Sequence, residues 1–295
     1  MIHKVFESKE GNVWKYVFDS GDVCYEAVLY RYEDFYKRTV ICCSVQCGCP
    51  VGCTFCGTGE QFVRNLTADE IVSQVEYILA DKGMSDINDK VKRFQIMFMS
   101  MGEPMLNWDN VSRAIDILHA KYPIAELLIS TIGINAGRRT YFNLLEKSYD
   151  INKIGLQFSM HKSIDSERDK LIPYENKFTL KQIAGLGKEW KLQTGRKPYL
   201  NYCIDGTNNT DKDFENIKAL FSPDIFCMTF SVICSKDCNS FEGFRDIEAI
   251  RAFEYKFLNA GYDTRVFNPA GQDDIGGGCG MLWYVQEWFD KRKAR

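Results

Sequence analysis

The sequence predicts an α/β fold built around a parallel β-sheet. Short apolar runs alternate along the 295 residues with longer amphipathic runs, and neither a low-complexity linker nor a repeat of fixed period interrupts them. Alternating strands and helices require crossover connections, so the strands are expected to lie parallel in an α/β barrel or a doubly wound sheet. In both arrangements the chemistry belongs in the loops that follow the carboxyl ends of the strands.

The chain is predicted to begin with a β-hairpin. Residues 14–18 and 23–30 are rich in β-branched and aromatic side chains, and the turn-forming residues 19–22 separate them. The apolar run at residues 39–45 is predicted as the next strand. The same pattern predicts later strands at residues 94–99, 127–131, 154–159, 199–204, 225–233 and 264–267.

Helices are predicted between these strands. Thr67 and Glu70 have the spacing of a capping box, which would begin a helix that runs to about Ala80. The buried face of this helix would carry Ile71, Val75, Ile78 and Leu79. Further helices are predicted at residues 109–119, 181–190, 211–220 and 246–259.

The composition indicates a globular protein with a large core. Hydrophobic residues make up 45% of the chain, which is enough for one large domain that needs no cross-links. The amino terminus is charged and lacks a signal peptide's apolar run, and no segment approaches the roughly 20 apolar residues of a membrane span. We therefore expect a soluble, cytoplasmic protein without a membrane partner, in which the twelve cysteines are thiols.

The charge is nearly balanced. A formal net charge of −3 predicts no global electrostatic attraction to nucleic acid, so any RNA contact would depend on local patches. The basic residues Lys291, Arg292, Lys293 and Arg295 form one candidate patch. A charge run that ends a helix is, however, more often a solvated face.

Three cysteines follow the strand predicted at residues 39–45. Cys49, Cys53 and Cys56 have the spacing Cys-x3-Cys-x2-Cys, with Phe55 before the last cysteine. Three thiolates on one glycine-rich loop can bind three irons of a 4Fe-4S cubane and leave the fourth iron open. The alternatives are a chance spacing and a zinc site, but zinc needs a fourth ligand, and the three histidines offer little help.

This loop closely resembles that of the radical S-adenosylmethionine superfamily, and the chain from about Trp14 onward resembles its RlmN/Cfr family of RNA adenine methyltransferases. Each matching segment is weak alone, but their preserved order around the cysteine loop is specific. The matching segments are residues 39–49, 64–71, 99–107 with Gly-Glu-Pro at 102–104, 129–133, 159–161, 273–275 and 279–280.

The resemblance implies a partial (β/α) barrel of the radical SAM type. The barrel would occupy residues 39–295 and end in a methyl-cysteine loop, with residues 1–38 as a β-hairpin extension. A 4Fe-4S cluster on Cys49, Cys53 and Cys56 would bind S-adenosylmethionine through its open iron and cleave it to a 5'-deoxyadenosyl radical. The residues implied to contact S-adenosylmethionine are Gly102, Glu103, Ser130, Ser159, Met160 and His161.

The C–H group at an adenine ring carbon is neither acidic nor nucleophilic, so its methylation requires a radical route. The radical route of the family needs two thiols outside the cluster. Cys279, in the glycine-rich residues 276–280, resembles the cysteine that is methylated and whose methyl group then becomes a radical that adds to the base. Cys42 resembles the resolving cysteine that attacks the sulfur and leaves a disulfide. Neighbouring Cys43 and Cys47 are more typical of buried packing thiols.

Glu26 aligns with the family's proposed proton acceptor. A carboxylate whose pKa is raised by burial could remove the proton from the ring carbon, whereas the alternative is a solvent-facing strand glutamate.

Two features depart from the family. The chain begins almost at the hairpin, without the family's helical RNA-binding domain. The family's cofactor-contacting asparagine also has no clear counterpart at residues 233–239, where Asn239 is one candidate.

The implied function is methylation of a ring carbon of adenine, carbon 2 in preference to carbon 8, in ribosomal or transfer RNA. We expect a monomer that takes electrons from a flavodoxin or ferredoxin. If its own affinity for RNA is too low, a partner chain would be needed for RNA binding. Two other functions stay open. One is a radical SAM enzyme for a free nucleotide or another small aromatic substrate. The other is an iron-sulfur electron carrier or sensor, which would leave Cys42 and Cys279 unexplained.

Overall fold

The structure is a computed structural model that describes residues 2–59, 61–135, 138–233, 236, 246–268, 271, 273–278 and 280–294. The strands in this part of the chain are β1 (Ile2–Glu7), β2 (Val13–Asp19), β3 (Cys24–Tyr32), β4 (Arg38–Cys43), β5 (Gln46–Gly48), β6 (Phe62–Asn65), β7 (Phe94–Phe98), β8 (Glu126–Thr131), β9 (Ile154–Ser159), β10 (Tyr199–Ile204), β11 (Cys227–Val232) and β12 (Thr264–Phe267). The helices are α1 (Ala68–Asp81), α2 (Ile87–Lys90), α3 (Trp108–Lys121), α4 (Arg138–Asp150), α5 (Asp165–Leu171), α6 (Leu180–Thr194), α7 (Asp211–Leu220), α8 (Ile247–Asn259) and α9 (Trp283–Lys293).

Ten of the described strands form one sheet, in the order β1-β2-β3-β4-β7-β8-β9-β10-β11-β12. Strands β1 to β4 pair antiparallel, whereas β4 and β7 to β12 pair parallel. Strands β5 and β6 form a separate antiparallel pair. The mixed α/β fold with a parallel sheet is therefore as predicted, and the amino-terminal hairpin gains a third strand and joins the main sheet.

The sheet curls until its last strand, β12, contacts β3. The rings of Tyr30 on β3 and Phe267 on β12 lie 5.8 Å apart in an edge-to-face contact, although six strands separate β3 from β12 in the sheet order. The Arg265 guanidinium on β12 also donates a hydrogen bond of 3.2 Å to Gln157 on β9. These contacts across the concave face enclose a lumen, which is the form of a partial (β/α) barrel.

Many side chains on the lumen face are polar. Parallel registers place Ser130 beside Gln157, and Ser159 beside Asn201 on β10. Asn201 in turn lies beside Thr229 on β11. A hydrogen bond of 3.0 Å from Gln157 to Ser130 joins two of these residues. Because the outer face packs against helices and the lumen holds polar groups, ligand chemistry belongs inside the barrel.

Several element boundaries differ from the sequence prediction. The strand predicted at residues 39–45 ends at Cys43, because Gln74 of α1 binds the backbone N–H and C=O of Ser44 at 2.9 Å each and ends the ladder there. The capping box of α1 is present as predicted, with Thr67 and Glu70 each accepting from the other's amide. Sequence reasoning missed β1, β5, β6, α2, α4, α5 and α9. Among the described residues, no helix is both long and apolar enough to cross a membrane.

Candidate active site

The cysteine loop leaves the barrel after β4 and carries the three predicted cluster ligands. The Cys49 amide donates to the carbonyl of Gln61 at 2.7 Å, and the Cys56 amide donates to the carbonyl of Cys53 at 3.0 Å. These bonds fold residues 49–59 back toward Gln61, so that all three cysteines lie on one half-buried loop. The loop therefore holds all three cysteines beyond the carboxyl end of β4.

Backbone amides support the first of these thiols. Burial is the largest influence and raises the pKa of the Cys49 thiol, whereas hydrogen bonds from the amides of Val51 and Gly102 lower it. Gly102 has a φ of +93°, and a Cβ there would come within 2.6 Å of the Gln46 side chain. Only glycine lets this amide approach so closely. Hydrogen bonds from amides to cysteine sulfur help to set the reduction potential of an iron-sulfur cluster, so this environment fits a cluster ligand.

The arrangement does not resemble a mononuclear metal site. Across the described ranges, no group of three or more histidine, cysteine, aspartate or glutamate side chains is placed to hold one metal ion. A structural zinc site needs four donors that converge on a single point. A cubane binds each cysteine through a different iron, so its ligands stand apart from one another.

Glu103 ties two strand-end loops together. Its carboxylate accepts hydrogen bonds from the amide of Met105 at 3.0 Å and from the amide of Ile132 at 2.9 Å. Its own amide donates to the Gln46 side chain at 2.9 Å. Burial raises the pKa of Glu103 to about 7, while hydrogen bonds from Thr131 and the two amides pull it back. The acidic group predicted to contact the cofactor is therefore held rigidly at the edge of the sheet that the carboxyl ends of the parallel strands form.

The next two strands bring further predicted residues to the same edge. Ser130 and Ser159 lie at the carboxyl ends of β8 and β9 on the lumen face, and Ser130 accepts a hydrogen bond from Gln157. Met160 is fully buried, and its amide donates to the carbonyl of Asn201 at 2.9 Å. Neighbouring strand ends thus carry the predicted cofactor residues side by side.

His161 connects this edge to the cysteine loop. Its ring lies edge-to-face against Phe55, the residue before Cys56, with centroids 5.3 Å apart. Its Nδ1 accepts a hydrogen bond of 3.1 Å from the Cys203 amide, and its φ of +61° is rare for a non-glycine residue. Burial, and secondarily Arg168, lower the pKa of His161 to about 3. The imidazole is therefore neutral at physiological pH and suits packing or hydrogen bonding rather than charge.

This neutral histidine predicts an acid-sensitive fold. The pKa of His161 is lowered from 6.5 to about 3, so below about pH 6.5 the unfolded chain takes up a proton that the folded chain refuses. Its contribution to the free energy of unfolding should fall by about 2 kcal/mol between pH 7 and pH 5. Denaturant unfolding of wild type and His161→Gln at both pH values measures this. Equal pH dependence in the two proteins would contradict it.

Arg168 of α5 is a residue that sequence reasoning missed. Its side chain is fully buried and donates to the carbonyls of Phe178 at 3.0 Å, Ser159 at 3.3 Å and Ile132. It therefore clamps the ends of β8 and β9. No signal in the sequence marks it, because its neighbours are charged residues typical of an exposed helix.

Asn107 is a second missed residue. Its side-chain amide donates to the carbonyl of Val45 at 2.7 Å and to that of Leu66 at 2.8 Å, which joins the chain before and after the cysteine loop. A signal did exist, since Asn107 is the last residue of the matched Gly-Glu-Pro-x-x-Asn segment.

Glu26 lies at this end of β3, and its carboxylate is fully buried. One oxygen accepts the Val285 amide at 2.7 Å, within the first turn of α9, and the other lies 3.3 Å from the ammonium of Lys15. Burial is the largest influence and raises the pKa of Glu26, whereas Lys15 and the amides lower it. Glu26 therefore holds α9 against the sheet, and the solvent-facing alternative is wrong.

Removal of this carboxylate should destabilise the fold. Glu26→Ala would leave the Lys15 ammonium buried without its partner, and we expect a loss of about 3–5 kcal/mol in the free energy of unfolding. Lys15→Met combined with Glu26→Gln should recover most of this loss. The exposed Asp116 of the Lys147 pair is the control, and Asp116→Ala should cost less than about 1 kcal/mol. Equal losses in Glu26→Ala and Asp116→Ala would refute the buried-pair argument. Chemical denaturation measures all of them.

The carboxyl-terminal segment covers the lumen. The Tyr30 hydroxyl donates to the Gly277 carbonyl at 2.9 Å, and the Gly57 amide of the cysteine loop donates to the Gly280 carbonyl at 2.7 Å. Cys42 faces the lumen on β4, in register with Val28 of β3. The segment that precedes α9 thus contacts both the lumen wall and the cysteine loop.

Two predicted residues, Cys279 and Asn239, lie outside the described residues. The other predicted site residues lie at or after the carboxyl ends of the parallel strands, except Glu26, which lies near the amino end of the antiparallel strand β3. No disulfide bond joins any two of the described cysteines.

Comparisons with known proteins identify the family of the chain. No family model matches the chain. It is 33% identical over 276 residues to the probable dual-specificity RNA methyltransferase RlmN of Pseudothermotoga lettingae, covering 91% of this chain and 75% of that protein. It is 31% identical over 283 residues to the protein of the same name from Petrotoga mobilis, covering 93% of this chain and 76% of that one.

Solved structures agree. A radical SAM methyltransferase from Sphaerobacter thermophilus superposes with a TM-score of 0.79 at 26% identity, covering 94% of this chain and 79% of that one. Streptococcus suis SuiB bound to S-adenosylmethionine superposes with a TM-score of 0.57 at 10% identity, covering 80% and 51%, which is a likeness of fold alone.

Proposed function

The chain belongs to the RlmN family of radical S-adenosylmethionine RNA methyltransferases, and from this we propose that it methylates a ring carbon of adenine, carbon 2 in preference to carbon 8, in ribosomal or transfer RNA. The observation that carries the proposal is the contact between the cysteine loop and the carboxyl-terminal segment. Gly57 follows Cys56, Gly280 follows Cys279, and the hydrogen bond between Gly57 and Gly280 measures 2.7 Å. This contact brings the chain around the two reactive positions together.

We propose that Cys49, Cys53 and Cys56 hold a 4Fe-4S cluster. Gly102, Glu103, Ser130, Ser159, Met160 and His161 would bind S-adenosylmethionine. When bound, the two groups supply the methyl group and the one-electron chemistry that an unactivated aromatic C–H requires. The rigid Glu103, with the backbone around His161, orients the cofactor, and the amide of Gly102 supports the Cys49 thiolate.

In this proposal Cys279 carries the methyl group to the base and Cys42 releases the product. Attack of the Cys42 thiolate on the Cys279 sulfur breaks the bond between that sulfur and the transferred carbon and leaves a Cys42–Cys279 disulfide. The electron pair of the broken bond stays on the transferred carbon, which takes up a proton to become the methyl group, while the ring carbon gives up its own proton. The lumen-facing side of β4 suits this role, because Tyr30 on the neighbouring strand binds the segment that leads to Cys279. A flavodoxin or ferredoxin would supply electrons.

Glu26 would accept the proton that leaves the ring carbon. Its raised pKa favours this, since a base with a pKa nearer neutrality accepts a proton more readily. The carboxylate would first have to exchange a contact with Lys15 or Val285 for the substrate. A pH profile of methyl transfer in Glu26→Gln tests the role, because a purely structural glutamate would leave the pH profile unchanged.

The substrate should be an unpaired adenine. An adenine must leave any base stack to enter the barrel, so single-stranded RNA should be methylated about tenfold faster than the same sequence in a duplex. The net charge of −3 predicts few phosphate contacts and a shallow dependence of RNA binding on salt. Equal rates on single strands and duplexes would contradict this prediction.

The experiment that tests the function offers ribosomal RNA, transfer RNA, short single strands and free adenine nucleotides to reconstituted protein with S-adenosylmethionine. Nuclease digestion and mass spectrometry then identify 2-methyladenine or 8-methyladenine, with Cys279→Ala as the control. Methylation of free nucleotides alone would favour the small-molecule alternative. Absence of both methylation and S-adenosylmethionine cleavage would favour an electron carrier or sensor.

A further inference from the structure

A cavity lies at the opposite end of the barrel from the cysteine loop. It encloses about 500 Å³ between the amino ends of β7 to β12, and we call it the floor cavity. Its charged lining residues are Arg93, Glu126, Lys153, Arg196, Lys197 and Arg265. Five cations therefore face one carboxylate in a chain whose net charge is −3. Such a local excess of positive charge attracts anions.

The single carboxylate is already occupied. Glu126 accepts hydrogen bonds from the Arg93 guanidinium at 2.9 and 3.1 Å and from the Gln95 amide at 2.7 Å. Lys197 is paired outside the lining, at 2.8 Å from Asp263. The charge of the remaining cations is thus not neutralised by Glu126.

Two of these cations have neutral partners. Arg265 donates to the Thr229 hydroxyl at 2.7 Å and to the Gln157 side chain at 3.2 Å, and Arg196 donates to the Ser148 carbonyl at 2.7 Å. Within the described part of the chain, neither guanidinium forms a salt bridge with a carboxylate. Partly buried charges of this kind are costly unless an anion accompanies them.

The lining also holds hydrogen-bond donors that lack acceptors. The Trp190 side chain is fully buried and its indole Nε1 has no acceptor, and the same is true of the buried Nε of Arg196. Both residues line the floor cavity. Buried donors are nearly always satisfied in folded proteins. These two donors therefore add to the surplus of donors over acceptors around the floor cavity.

Aromatic rings hold both guanidinium groups in place. Arg265 lies over the ring of Tyr199, 4.3 Å from its centroid, and Arg196 lies over Trp190 at 5.6 Å. Stacked guanidinium groups keep their planar fork of donors oriented for a phosphate. Burial, followed by the neighbouring Arg38 and Arg93, lowers the pKa of Arg265, which is consistent with uncompensated positive charge.

We propose that the floor cavity binds a small phosphorylated molecule of about nucleoside monophosphate size. Its volume lies within the about 300–1,000 Å³ of typical ligand pockets, and its lining also includes the apolar residues Leu127, Leu128 and Ile154. Arg196 and Arg265 bind the phosphate, and the apolar wall receives the rest of the molecule. The proposal is independent of the methyltransferase function, because it uses none of the residues predicted to bind the cluster or the cofactor.

Isothermal titration calorimetry on the 295-residue chain tests this site, with pyrophosphate and AMP as probes and adenosine as the uncharged comparison. We expect saturable binding of AMP and pyrophosphate at one site and none of adenosine. Arg196→Gln and Arg265→Gln should each weaken binding about 10- to 100-fold, because each removes a charge-assisted hydrogen bond. Lys181→Gln, an exposed cation of α6, is the matched control and should bind as wild type.

Circular dichroism melts show whether each variant is folded. If Arg265→Gln does not fold, Arg196→Gln and Arg196→Lys decide, since the lysine keeps the charge but loses the fork and should bind with intermediate affinity. Absence of saturable binding at millimolar concentration, or equal weakening in Lys181→Gln, would overturn the proposal. The proposal would also be overturned if the protein bound a short single-stranded RNA but not AMP, and if Arg196→Gln and Arg265→Gln abolished the binding of that RNA.

Discussion

Replacement of Cys49, Cys53 or Cys56 by alanine should abolish methyl transfer and reduce the iron bound after anaerobic reconstitution to background. Each cysteine would bind a different iron, so the loss of one thiolate opens a second iron to solvent and destabilises the cubane. Iron and sulfide analysis and the visible absorption spectrum measure the loss of the cluster, and S-adenosylmethionine cleavage, on which methyl transfer depends, measures the loss of activity.

Cys47→Ala is the matched control for this experiment. Cys47 belongs to the same stretch of chain, but its thiol is fully buried and donates to the Cys24 carbonyl at 3.1 Å. Its replacement should keep a normal iron content. A full complement of iron in all three of the predicted ligand variants would show that the cluster is bound elsewhere.

The second large effect concerns the two thiols outside the cluster. Cys42→Ala should accumulate RNA covalently attached to Cys279, because no thiolate remains to attack the Cys279 sulfur. Cys279→Ala should transfer no methyl group yet still cleave S-adenosylmethionine, since cleavage needs only cluster and cofactor. Denaturing gels with labelled RNA, and mass spectrometry of the peptide that contains Cys279, detect these products.

Cys43→Ala is the control for Cys42→Ala. The two cysteines are neighbours on β4, so their side chains point to opposite faces of the sheet. Cys42 faces the lumen, whereas Cys43 is fully buried on the other face. Cys43→Ala should therefore turn over without trapping RNA. Normal turnover by Cys42→Ala would refute the pairing of Cys42 with Cys279.

Local patterns in the sequence were enough to predict most of the barrel. The capping box at Thr67 and Glu70 begins α1 as predicted, and the strands at residues 154–159, 199–204 and 264–267 have the predicted bounds. Such patterns work because strand and helix periodicity, caps and turns are short-range properties. The helix α9 was missed, because its own aromatic residues are spread around the helix and leave no clear apolar stripe.

The sequence by itself determined the fold class, the family and the cysteine spacing, since each depends on residues close together in the chain or on the order of matched segments. Tertiary structure decided the environments. Only the folded chain brings Val285 of α9 to Glu26, and only the folded strand ends bury Arg168 among three carbonyls. Burial and hydrogen bonding depend on residues far apart in sequence, so no local pattern carries them.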